Sequence, residues 1–144
     1  MSKGFWEHVC STLSILPQVH SAQISPSRLA SLSYAVAGLL YVLRYAKNAR
    51  IQALATLSVV LLGLWLSLSR LEWALLTLLI ALNWFAEVAN TSLEAAVNLA
   101  SPGYHPMAQV AKDVAAGGSL LMALTSVIVG LLVLGPPLWE RLVA

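Results

Sequence analysis

Residues Leu71 to Asn98 read LEWALLTLLIALNWFAEVANTSLEAAVN. The stretch is apolar, with few interruptions, as far as Ala86. It then carries Glu87, Asn90, Glu94 and Asn98 in quick succession. As an α-helix it would be roughly 42 Å long, more than the ~30 Å of bilayer hydrocarbon. That length predicts a membrane-spanning helix whose polar end leaves the lipid. On such a helix Glu87 and Glu94 are nearly eclipsed, roughly 10 Å apart along the axis. Asn83, Asn90 and Asn98 fall on the same side at three- and four-residue spacing. One face therefore reads Asn83, Glu87, Asn90, Glu94, Asn98.

The rest of the chain agrees with a membrane reading. Its 144 residues, enough for one domain, are 59% hydrophobic and 10% charged, with a mean hydropathy of +0.81. Soluble domains carry about 25% charged residues, and a chain this short cannot bury the excess apolar surface. The net charge of +2 is too small to point to nucleic acid. A single cysteine, Cys10, excludes an intrachain disulfide. Residues 1–27 have Glu7, Pro17 and no clean apolar core, so they read as an N-terminal tail rather than a signal peptide.

Three spans are predicted, at about 51–69, 71–98 and 117–134, the last stopped by Gly135-Pro136-Pro137. Ahead of them, Arg28 to Tyr45 reads RLASLSYAVAGLLYVLRY, apolar but broken by Ser31, Ser33, Tyr34 and Tyr41. An amphipathic surface helix over 28–46 suits this pattern; a fourth span is the alternative. Arg44, Lys47 and Arg50 precede the first span with no acid among them. Basic flanks favour the cytoplasm, which puts the N-terminus and the 99–116 connection inside. The first hairpin is then outside, flanked by Trp65 and Trp73.

The polar stripe has two readings. Asn and Glu can bind neighbouring helices together in a bundle. That accounts for the amides better than for the two glutamates, since no basic residue lies between Arg70 and Lys112. Spaced carboxylates also suit a divalent cation, or a general base beside a metal ligand. Beyond the loop SPGYHPM, Lys112 and Asp113 reach the same inner rim, where a lysine can stabilise charge on phosphate oxygens. Together these residues fit phosphoryl transfer, although no Walker motif is present.

The segment EVANTSLE, Glu87 to Glu94, is followed closely by PGYHPMAQVAKDVAAG, Pro102 to Gly117. With this pairing the chain resembles the small prokaryotic membrane diacylglycerol kinases, a family that includes the undecaprenol kinases. The likeness runs from about Arg28 to Leu134, through LRYAKNARIQ and SLSRLEW. The resemblance implies an all-α integral membrane fold, a surface helix plus three transmembrane helices in a homotrimeric bundle. It implies an ATP-dependent kinase of a lipid alcohol, diacylglycerol or undecaprenol, working with Mg²⁺ at the cytoplasmic face of the bacterial inner membrane. Glu87 would be the general base, Asn90 would orient groups beside it, and Glu94 would ligate Mg²⁺. Lys112 and Asp113 would meet the nucleotide phosphates, with Tyr34, Tyr104 and His105 on the nucleotide side.

Two positions depart from the pattern. Ala46 stands where the family usually has a glutamate, and Asn98 where it tends to have an aspartate. A thinner metal shell is expected from both. The alternative is a catalytically impaired, nucleotide-binding relative with a structural or regulatory role. A pore lined by the stripe is weaker, because Leu71 to Leu82 offers only Glu72 and Thr77 to such a face.

Overall fold

The computed structural model describes residues 28–143, so the tail expected over 1–27 lies outside the described residues. Within them the chain forms α1 (Arg28–Tyr45), α2 (Lys47–Leu66), α3 (Arg70–Ala100) and α4 (Pro106–Val143). Residues up to Gly38 and residues from Leu39 onward make two compact units. In the first, the described residues are the N-terminal part of α1, exposed from Ser31 to Gly38. The second holds the end of α1 and all of α2, α3 and α4.

α2, α3 and α4 are each long and apolar enough to cross a membrane, by length and composition. Their packing is that of a protein in lipid. Among the described residues the buried apolar side chains are Val42, Ala49, Leu76 and Leu134, whereas Leu61, Leu78, Leu131 and many others face outward. A water-soluble domain could not expose a surface of that kind.

α1 ends where Ala46 turns extended (φ −80°, ψ 118°), its amide still donating to the Val42 carbonyl at 2.9 Å. The α2–α3 connection is three residues long, and local chemistry fixes it. Ser67 takes a left-handed conformation, φ 54°. Its amide donates to the Leu64 carbonyl, and that of Leu68 donates to the Gly63 carbonyl, both at 3.3 Å. These bonds close α2 in a Schellman motif. Ser69 then caps α3: its Oγ accepts from the Glu72 amide at 3.4 Å, while Glu72 Oε2 accepts from the Ser69 amide at 2.7 Å. This reciprocal pair is a capping box. Glu72 is thereby explained as a structural acid.

Short connections make α2 and α3, and then α3 and α4, antiparallel neighbours. Trp84 Nε1 donates to Thr56 Oγ1 at 3.2 Å between α2 and α3. Ser119 Oγ donates to the Ala86 carbonyl at 3.1 Å between α4 and α3. Hydrogen bonds of this kind contribute on average about 0.6 kcal/mol each in a membrane bundle. The α3–α4 pair has the most extensive contact, and α2 packs on both.

Two features of α4 differ from expectation. It starts at Pro106 rather than Gly117, because His105 and Pro106 form its N-terminus. The His105 carbonyl accepts from the Ala108 and Gln109 amides at 3.0 and 3.1 Å, and proline suits the first helical position. At the other end Pro136 and Pro137 lie inside the helix, which continues to Val143. Proline keeps a helical φ and costs chiefly lost backbone bonds, which membrane helices tolerate. The Arg141 guanidinium lies over the Trp65 ring, 5.7 Å from its centroid, and this contact holds the final turn against α2.

Candidate active site

Along α3 the predicted stripe emerges step by step from the bundle. Asn83 is half-buried, Glu87 and Asn90 are buried at 4% and 8% exposure, and Glu94 and Asn98 are exposed. Glu87 and Asn90 are the buried polar or charged side chains of the described residues. The burial follows from α4, whose Ser119 pins the α3 backbone at Ala86, one residue from Glu87. Sequence reasoning missed Ser119. Serine four residues from an i-spaced small residue in a span is a usable signal for such a contact.

Asn90 Nδ2 donates to Glu94 Oε1 at 3.2 Å. A carboxylate only accepts, so the amide must present its NH₂ there. The carbonyl oxygen is left over: Asn90 Oδ1 is buried with no hydrogen-bond partner among the described residues. An orphaned acceptor beside a carboxylate is suited to a donor group or a hard cation. Mg²⁺ is ordinarily held by one or two carboxylates plus substrate phosphates, and Glu94 with Asn90 Oδ1 fits that modest donor set. Among the described residues no three His, Cys, Asp or Glu side chains gather into a self-sufficient metal cage.

From α4, Lys112 Nζ donates to Asn98 Oδ1 at 2.6 Å. Lys112 is half-buried and Asp113 exposed, both in the second turn of α4. The Asn98 side-chain carbonyl is thus occupied by an ammonium. Lys112, Glu94 and Glu87 form no ion pair with any described residue.

The 101–105 loop is braced internally. Ser101 Oγ donates to the Gly103 carbonyl at 3.1 Å and Tyr104 Oη to Gln109 Oε1 at 3.2 Å. His105 Nδ1 accepts from the Met107 amide at 3.2 Å, so the ring caps α4 and keeps its other nitrogen for a proton or a partner. Both rings are exposed. Tyr34 lies on α1 with its ring exposed, and Ala46 forms the α1–α2 break.

Between α3 and α4 an open groove of about 450 Å³ is walled by Leu82, Phe85, Ala89, Leu93 and Met122, with Asn90 and Ser119 as its polar points. Gly118 lines it, and a Cβ at Gly117 or Gly118 would meet nothing within 4 Å. Among the described residues these glycines are therefore not needed for close packing. Trp84, next to the groove residue Phe85, turns to α2 instead, where it bonds Thr56.

Residues 33–134 match the family described as prokaryotic diacylglycerol kinase. The chain belongs to that family. It is 38% identical over 122 residues to a diacylglycerol kinase of Synechocystis, an alignment covering 84% of this chain and 70% of that protein. It is 36% identical over 108 residues to an undecaprenol kinase of Bacillus subtilis, covering 75% and 88% respectively. A diacylglycerol kinase of Helicobacter pylori is 37% identical over a shorter 62 residues. Family membership and three long apolar helices make this chain a multi-pass membrane protein.

Proposed function

We propose that the chain is an integral membrane lipid kinase that transfers the γ-phosphate of ATP to the hydroxyl of a lipid alcohol, diacylglycerol or undecaprenol. The observation that carries this reading is the buried Glu87–Asn90 pair at the point where the apolar part of α3 meets its exposed polar end. A lipid alcohol approaches from the bilayer and a nucleotide from the water, so their reaction belongs at that boundary. Family membership, with relatives named for both alcohols, supports the same reading.

Glu87 accepts the proton of the attacking hydroxyl, a step that positioned bases accelerate by about 10²–10⁴-fold. The apolar groove beside Asn90 takes the lipid chain, which brings the hydroxyl to the carboxylate. Glu94 and Asn90 Oδ1 would hold Mg²⁺, which neutralises charge on the phosphates. Lys112 stabilises the phosphate oxygens, and Asp113, Tyr104 and His105 lie on the nucleotide side. The working unit is a homotrimer in the inner membrane, with its active face cytoplasmic, the side favoured by Arg44, Lys47 and Arg50.

The test is transfer of labelled phosphate from ATP in mixed micelles containing Mg²⁺, with diacylglycerol and undecaprenol compared. Labelled lipid phosphate is expected. If neither alcohol is labelled, the chain is instead the impaired relative to which Ala46 and Asn98 point.

A further inference from the structure

Lys112 has one polar partner among the described residues, and it is uncharged. Its ammonium donates to the Asn98 carboxamide at 2.6 Å and forms no ion pair with a described residue. Asn98 lies in the last turn of α3 and Lys112 in the second turn of α4, on either side of the braced loop. The bond therefore stitches the open ends of two antiparallel helices. It also holds a flexible four-carbon side chain at one height beside Glu94, which is one turn from Asn98 on the same face of α3.

We propose that Asn98 is a positioning residue for Lys112: it fixes the ammonium in place without neutralising it, leaving its charge for a polyphosphate anion. This rests on the kinase reading above. An ammonium has three donors, and one bond to a neutral carbonyl leaves two donors and the full charge. An aspartate at the same place would hold the lysine equally well but cancel its charge. An alanine would keep the charge and release the side chain. The two substitutions thus separate placement from charge.

The full chain, purified in detergent, is compared as the unsubstituted protein, Asn98→Ala, Asn98→Asp and Asn98→Gln. Two measurements are made. The first is KM for MgATP and kcat with a saturating lipid alcohol. The second is the acylation rate of Lys112 by an amine-reactive ester, read on its peptide by mass spectrometry with Lys47 as internal reference. Asn98→Ala should raise KM about tenfold, the scale of one lost hydrogen bond to a charged group, with kcat within about twofold. It should also speed acylation of Lys112. Asn98→Asp should raise KM too, but slow acylation, because a carboxylate partner stabilises the ammonium. Asn98→Gln, which keeps the carbonyl, should restore part of the lost affinity. A merely structural role would move both acylation rates in the same direction.

The assignment is overturned if acylation of Lys112 is the same in Asn98→Ala as in the unsubstituted chain. It is equally overturned if acylation quickens but KM does not change. Failure of the unsubstituted chain to transfer phosphate overturns the kinase reading, and the acylation rates still decide whether Asn98 holds Lys112.

Discussion

Glu87 places a carboxylate 4% exposed inside a helix bundle, with no ion-pair partner among the described residues. An ionisable side chain at such a depth costs on the order of 2–3 kcal/mol even on the mildest scale. Replacing it should therefore move stability and turnover in opposite directions. Glu87→Gln is expected to raise the thermal midpoint in detergent while lowering kcat by at least about a hundredfold, the contribution of a general base. Unchanged turnover would remove Glu87 from the base role. Ala46 offers the complementary experiment, since it stands at the extended break before α2. Ala46→Glu should lower the Mg²⁺ concentration giving half-maximal rate; an identical Mg²⁺ titration would show that this position takes no part in cation binding. That Glu87, Asn90 and Glu94 share one face could be read from spacing alone, because a helix converts spacing into a face. The capping bond of His105 could not. It depends on which ring nitrogen meets which amide, and no pattern of residue types encodes that.

Among the elements, the α2–α3 connection is the most fully determined by local chemistry. Ser67 adopts φ 54°, a conformation that costs a side-chain-bearing residue about 1–2 kcal/mol and glycine almost nothing. Ser67→Gly should stabilise the protein by roughly 1 kcal/mol, measurable as a higher midpoint of thermal unfolding in detergent. Gly63 is constrained in the opposite sense, since a Cβ there would lie 3.0 Å from Trp73 Cη2 and 3.1 Å from Leu68 Cδ1. Gly63→Val should cost about 1–3 kcal/mol, the usual penalty of overpacking. A third site lies deeper, in a cavity of about 80 Å³ bounded by all three long helices. There Ser126 Oγ is buried without a partner among the described residues. Ser126→Ala removes an unsatisfied hydroxyl and should leave stability unchanged or raise it by about 1 kcal/mol; a marked loss would mean that the hydroxyl is bonded in the membrane.

Hydropathy located the three spans but not their ends. The α2–α3 boundary at Ser67 to Ser69 was within reach, since SLSRLE carries a capping-box pattern in plain view. α4 overran both predicted limits. Its start needed His105-Pro106 to be recognised as a cap. Its end needed the recognition that a membrane helix tolerates prolines that would stop a soluble one.

For the whole molecule, α3 acts as a measure of height. Its first residue, Arg70, follows the capped turn, with Trp73 beside it. Glu87 lies roughly 26 Å further along the axis, close to the ~30 Å thickness of the hydrocarbon layer. No loop intervenes between these two points to absorb a mismatch. A bilayer of different thickness must therefore tilt the helix, deform locally or shift the carboxylate relative to the headgroups, each at a modest cost. Turnover measured in bilayers of phosphatidylcholines with increasing acyl length should pass through a maximum, and equal turnover across the series would count against a height-limited site. Membrane thickness would then tune the reaction rate without any effector, through the capped turn that anchors α3 at the opposite face.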